Sequence, residues 1–147
     1  MKPAGVLFGS ASSVDALQTA TAVIEAGAGL ALLSFPSTAV ELLLGAPLET
    51  SDAVTVARVG GAALLTLGAV FWLARGDTQS RAARGLVAAM VLYNLGVVFI
   101  LGAVGIGSGR VGVALWPAVV LHTAMTAWCI MNVRYLSVAE RPGNLKQ

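Results

Sequence analysis

Charged residues are scarce in this chain, which carries 9 Lys and Arg and 7 Asp and Glu among its 147 residues. A soluble globular domain is charged at about a quarter of its positions, but here the fraction is 11%, and 57% of the residues are hydrophobic. The composition therefore excludes an ordinary water-soluble domain and indicates a protein whose main solvent is lipid.

Cysteine and histidine each occur once, as Cys129 and His122. A lone cysteine excludes an internal disulfide and any paired-cysteine redox or zinc motif. The basic residues flank the apolar segments and form no patch or stripe of the kind that binds nucleic acid. We therefore expect no cofactor and no nucleic-acid partner.

Four long gaps between charged residues predict four membrane-spanning helices, since a span needs about 20 mostly apolar residues. The expected spans cover residues 14–35, 53–73, 82–103 and 112–133. The first is longer than a signal-peptide core and carries Glu25 at its centre, so we expect it to remain in the mature protein. A short helix is expected over residues 37–45, at the membrane surface or over the end of the bundle, with a plain turn as the alternative.

The basic residues beside the spans predict the topology, because an excess of Lys and Arg marks the cytoplasmic side. Only Arg58 and Arg110 fall on the opposite side. The other seven lie on the side of the two termini: Lys2, Arg75, Arg81, Arg84, Arg134, Arg141 and Lys146. With short connections, this predicts one all-α domain over residues 1–147. We expect an up-down-up-down four-helix bundle in the bacterial inner (plasma) membrane, with both termini cytoplasmic.

Three polar side chains are expected near the middle of the membrane, where an ionisable group costs about 2.5–3.5 kcal/mol and therefore marks a candidate site. They are Glu25, Asn94 and His122. Each lies about ten residues from the outer end of its span, or roughly 15 Å at 1.5 Å per residue. Arg58 is nearer the outer surface, and we expect its side chain to reach lipid headgroups rather than Glu25.

Glu25 and His122 are expected to share a hydrogen bond, directly or through one water, because a buried carboxylate needs a partner. Gln18 and Thr21 precede Glu25 by two turns and one turn, which predicts a polar face toward the bundle interior. Two interpretations remain open. In the first, which we favour, such bonds only fix helix register. In the second, Glu25, Asn94 and His122, with Tyr93 beside them, form a small pocket that binds a ligand or passes protons.

A copper site is a further hypothesis for the last span. His122, Met125 and Cys129 fall on one helical face, and imidazole with soft sulfur suits Cu(I). Met and Cys are also common apolar fillers, however, and no second cysteine or histidine completes the ligand set. We therefore assign no metal to these residues.

Four different short motifs lie along spans two to four. They are Ala57-Arg58-Val59-Gly60-Gly61, Leu67-Gly68, Tyr93-Asn94 and Leu121-His122. In these motifs the chain resembles small four-span bacterial membrane proteins of the DoxX-like kind. The resemblance implies a four-helix bundle without implying a reaction.

The sequence is compatible with three kinds of function. Minimal loops and abundant small residues favour a non-catalytic accessory or stabilising subunit of a larger membrane assembly, in contact with lipid, other subunits or copies of itself. The alternative is a small transporter or lipophilic-ligand-binding protein that uses Glu25, Asn94 and His122. An enzyme is not indicated, because we find no nucleophile with a base and no set of metal ligands.

Overall fold

The computed structural model describes residues 10–107, 109 and 111–139, with side chains through residue 134. The described residues form five α-helices: α1 (Ala11–Ser34), α2 (Pro36–Leu44), α3 (Ser51–Ala74), α4 (Arg81–Gly107) and α5 (Leu115–Ala139). The all-α fold expected from the sequence is confirmed for this part of the chain. Both termini and Arg110, on which the predicted topology depends, lie outside the described residues.

Helix starts follow local hydrogen-bonding rules. Ser10 caps α1, and Thr50 caps α3 by accepting a hydrogen bond from the backbone NH of Ala53. Pro36 opens α2, where its missing NH does no harm, and Gly45 closes α2 in the left-handed conformation at φ 79°. Where the sequence predicts a short helix, the chain therefore forms one of nine residues.

Three of the described helices, α1, α3 and α4, are long and apolar enough to cross a membrane. This indicates a membrane protein. α5 has a similar length, 25 residues, and also carries polar side chains, among them His122, Thr126 and Asn132.

The tightest packing joins α1 to α3. Gly29 lies against Gly61 and Leu65, and Gly68 lies against Ala22 and Ala26, so the two helices run antiparallel with their backbones in contact. Small residues permit this close approach, which drives helix association in lipid. α1 and α3 thus form one helical pair.

A second antiparallel pair consists of α4 and α5. Asn94 meets His122 in the middle of the pair, and Gly105 lies against Leu115 and Trp116 near its end. By contrast, a Cβ at Gly85, near the start of α4, would meet nothing within 4 Å. The small residue at that position is not used for packing among the described residues.

Hydrogen bonds tie the two helical pairs together at both ends of the bundle. At one end, the Gln18 side chain donates to the backbone carbonyl of Asp77, and the backbone NH of Gly76 donates to Asp15. At the other end, the backbone NH of Ala114 donates to the carbonyl of Leu42 at the end of α2. Between the helical pairs, the half of the bundle nearer Asp77 is filled by a hydrophobic core that includes Leu17, Phe71 and Val87, and a space remains in the half nearer α2.

Candidate functional site

A cavity of about 450 Å³ lies between the two helical pairs. Every helix contributes to its wall, α3 only through Leu64. The lining residues that are most relevant to its chemistry are Glu25, Tyr93 and His122, and the rest are apolar. Small-molecule sites in proteins occupy about 300–1,000 Å³, so the cavity is large enough for a ligand.

The polar groups lie at one end of the cavity. On α1, α4 and α5 the wall begins at or next to Glu25, Tyr93 and His122 and continues with apolar residues toward the other end. That other end is covered by α2, through Ala39, Val40, Leu42 and Leu43. The cavity is thus apolar except for one end, the polar floor, which consists of Glu25, Tyr93 and His122. The short helix α2 covers the opposite end.

Glu25 lies on the inward face that the sequence pattern predicts. Gln18, Thr21 and Glu25 are 0%, 1% and 2% exposed. Thr21 and Gln18 are one and two turns beyond the cavity floor, outside its lining, and the side-chain oxygen of Thr21 has no hydrogen-bond partner among the described residues. Of this face, only Glu25 contributes to the cavity.

The hydrogen-bond partner of Glu25 is Tyr93. The Tyr93 hydroxyl donates to Oε2 of Glu25 at 2.9 Å. The described residues show no direct hydrogen bond between Glu25 and His122, so the direct form of that expectation is wrong, and the form with one bridging water stays a prediction. His122 is held instead by Asn94, because α5 packs directly on α4 and meets α1 only loosely.

Tyr93 connects the two sides of the polar floor. Its ring lies edge-on to the His122 ring, with centroids 5.9 Å apart and planes at 74°. Glu25 and His122 therefore line the same cavity on either side of Tyr93 without a direct bond.

Asn94 orients the imidazole of His122. Asn94 Nδ2 donates to the backbone carbonyl of Met90 at 2.8 Å, which leaves Oδ1 to face Nδ1 of His122 at 2.7 Å. Because Oδ1 can only accept, Nδ1 carries the proton in this bond. In the neutral ring Nε2 is then an acceptor, on a side chain that lines the cavity.

Arg58 stays away from this site. It is exposed on α3 and is not part of the cavity wall. The expectation that Arg58 does not pair with Glu25 agrees with the hydrogen bond to Tyr93. Its predicted contact with lipid headgroups stays a prediction.

The proposed copper ligands separate into two environments. His122 lines the cavity, whereas Met125 and Cys129 are buried in the hydrophobic core with Leu17 and Val87. Among the described residues, no three His, Cys, Asp or Glu side chains are grouped so that they could hold a metal ion. We assign no metal centre.

Sequence reasoning missed two features of the site. It placed Tyr93 beside the pocket but not in contact with Glu25, and it gave α2 no part in a binding site. A signal for Tyr93 existed, since adjacent residues on a helix project about 100° apart. Tyr93 and Asn94 can therefore bond to different helices, Tyr93 to Glu25 on α1 and Asn94 to His122 on α5.

The site places three side chains that can form hydrogen bonds, Glu25, Tyr93 and His122, at one end of an otherwise apolar cavity. The chain matches no protein-family model, and neither curated proteins nor solved structures gave a match.

Proposed function

We propose that this chain binds a lipophilic small molecule in the cavity, with the polar end of the ligand against Glu25, Tyr93 and His122. The cavity itself carries the proposal. Its volume of about 450 Å³ lies in the range of small-molecule sites, and three polar side chains meet at one end of an otherwise apolar lining, which is the arrangement typical of a ligand pocket. This favours a binding protein or small transporter over a purely structural role for the polar residues.

The proposal includes a four-span topology in the bacterial inner membrane. α5 would be the fourth span, its polar residues facing the bundle, and both termini would be cytoplasmic because of the seven-to-two distribution of basic residues. Reporter fusions test this. A reporter that is active only in the periplasm should be silent at Gln147 and active in the loop at Glu49, and the reverse pattern would refute the topology.

A cavity-filling substitution tests ligand binding. Ala118 lines the cavity, and Ala124, two turns further along α5, is exposed and outside it. We expect the purified wild-type protein and Ala124→Phe to retain a small lipophilic molecule, detected by native mass spectrometry, and Ala118→Phe to lose it. Equal retention in both variants, or none in the wild type after addition of lipid extract, would contradict the proposal.

A second candidate is the accessory-subunit role. Gly85 and Ala89 lie one turn apart on the exposed surface of α4, and Gly85 has no close neighbour among the described residues. Small residues at this spacing favour contact with another transmembrane helix, in a partner subunit or a second copy. Purification in mild detergent distinguishes the two, because an accessory subunit should elute with a partner and a simple binding protein alone.

A further inference from the structure

The polar floor of the cavity presents hydrogen-bond acceptors. Oε2 of Glu25 is occupied by the Tyr93 hydroxyl, while Oε1 receives no hydrogen bond from the described residues. His122 uses Nδ1 toward Asn94 and has Nε2 left as an acceptor in the neutral ring. The hydroxyl proton of Tyr93, the remaining donor among these side chains, is already given to Glu25.

Glu25 is the acidic side chain of the polar floor. No Lys or Arg occurs among the described residues that line the cavity, so none of them supplies a permanent cation for Glu25. A buried carboxylate is costly without a compensating charge or a sufficient set of donors. A ligand with a cationic, donating head would supply both.

We propose that the ligand is a lipophilic amine, bound as its ammonium ion with the alkyl chain toward α2. This inference rests on the proposed function and names its ligand class. An ammonium group has three donors and no acceptor, which matches Oε1 of Glu25 and Nε2 of His122. A fatty acid would place a second carboxylate beside Glu25, and like charges at close range are disfavoured. A neutral alcohol offers one donor and no charge.

Three ligands with the same ten-carbon chain separate the contribution of the head from that of the cavity: decylamine, decan-1-ol and decanoate. Binding is measured by calorimetry on the full chain in nanodiscs of zwitterionic lipid, with the signal of empty nanodiscs subtracted. Hydrogen bonds to charged groups are stronger than neutral ones. We expect decylamine to bind at least about tenfold more tightly than decan-1-ol and decanoate to bind most weakly.

The variant Glu25→Gln tests whether the Glu25 carboxylate is the group that recognises the ammonium charge of the ligand. It keeps the size and hydrogen-bonding capacity of the side chain but removes the carboxylate, so decylamine should lose its advantage over decan-1-ol. Glu41→Gln is the matched control, because Glu41 is exposed on α2 and does not line the cavity. It should bind like the wild type. Helical circular dichroism of both variants establishes that they are folded.

The outcomes separate this inference from the function on which it rests. Equal binding of decylamine and decan-1-ol by the wild type, or an unchanged amine preference in folded Glu25→Gln, would overturn the amine assignment and leave the cavity function standing. If none of the three compounds binds, the proposed function fails. The wild-type comparison remains decisive even if Glu25→Gln does not fold.

Discussion

Gly61 of α3 lies against Gly29 of α1 so closely that a Cβ built on Gly61 would stand 2.9 Å from the carbonyl oxygen of Gly29. The reverse construction gives 2.7 Å between a Cβ on Gly29 and the carbonyl oxygen of Gly61. The atoms in the way are backbone atoms, which cannot rotate aside. The junction of α1 and α3 is therefore a side of the bundle where the two backbones leave no room for a side chain.

Gly61→Ala should destabilise the fold because its methyl group forces α1 and α3 apart. Overpacking of this kind costs about 1–3 kcal/mol. The adjacent Gly60 is the matched control, since a Cβ there would meet nothing within 4 Å. Gly60→Ala should be neutral or stabilising, as alanine is favoured over glycine in helices. Unfolding in mixed micelles measures both, and equal stability of the two variants would contradict the tight junction.

The Tyr93–Glu25 hydrogen bond should appear as a coupling energy in a double-mutant cycle. The variants are Tyr93→Phe, Glu25→Leu and their combination, compared by free energy of unfolding, since leucine leaves no acceptor for the Tyr93 hydroxyl. Hydrogen bonds between membrane helices average about 0.6 kcal/mol and reach about 1.7 kcal/mol in such cycles. We expect a coupling within that range, because phenylalanine removes only the donating hydroxyl.

The comparison for this cycle pairs Glu25→Leu with His122→Leu. Since no direct hydrogen bond joins these two side chains and Tyr93 lies between them, their coupling should be smaller than that of Glu25 with Tyr93. A larger coupling for Glu25 with His122 than with Tyr93 would show that the polar floor is connected differently.

The tautomer of His122 is directly observable, because the chain has a single histidine. With Asn94 Oδ1 accepting from Nδ1, nitrogen NMR of the labelled ring should show the proton on Nδ1 and none on Nε2 when the ring is neutral. Asn94→Leu should release this preference. A proton found on Nε2 in the wild type would mean that Nε2 is a donor and not an acceptor. It would therefore remove one of the two acceptors on which the amine proposal depends.

The sequence predicts the buried face of α1 because that face is a local property. Residues four positions apart on a helix share a side, so the polarity of Thr21 and Glu25 amid apolar neighbours indicates an inward stripe before any partner helix is known. Asn94 and His122 are indicated by a different local property, their depth within the expected spans, and the structure brings them into contact.

The partner of Glu25 could not be predicted in the same way. The choice between Tyr93 and His122 depends on the rotation of α4 about its axis and on how closely α5 approaches α1. Both are set by packing across the whole bundle. The role of α2 is also non-local, since it depends on backbone hydrogen bonds from residues 112 and 114 to the end of that helix. No residue pattern within α2 encodes them.

Asp77 in the α3–α4 connection should make stability depend on pH. Its Oδ1 accepts from the backbone NH of Ser80 at 3.1 Å and its Oδ2 from the Ser80 hydroxyl at 2.5 Å, while Ser80 caps α4 through the NH of Ala83. These hydrogen bonds, the Ser80 hydroxyl first, hold the pKa of Asp77 below its usual value. A carboxyl group whose pKa is lower in the folded state stabilises above the unfolded value of about 3.9.

The wild type should therefore unfold at a higher temperature than Asp77→Ala at pH 7, and the difference should shrink as the pH falls through the folded-state pKa. Protonation of Asp77 turns one of its carboxyl oxygens from an acceptor into a donor, so the hydrogen bonds from Ser80 weaken. The stabilisation is therefore lost at acidic pH and kept at alkaline pH. Ser80→Ala provides the control. With the main partner removed, the pKa of Asp77 should rise toward its ordinary value, and the pH-dependent part of the Asp77→Ala effect should diminish. A difference in unfolding temperature that stays constant from pH 7 to pH 3 would mean that Asp77 contributes to the connection by its shape and not by its charge.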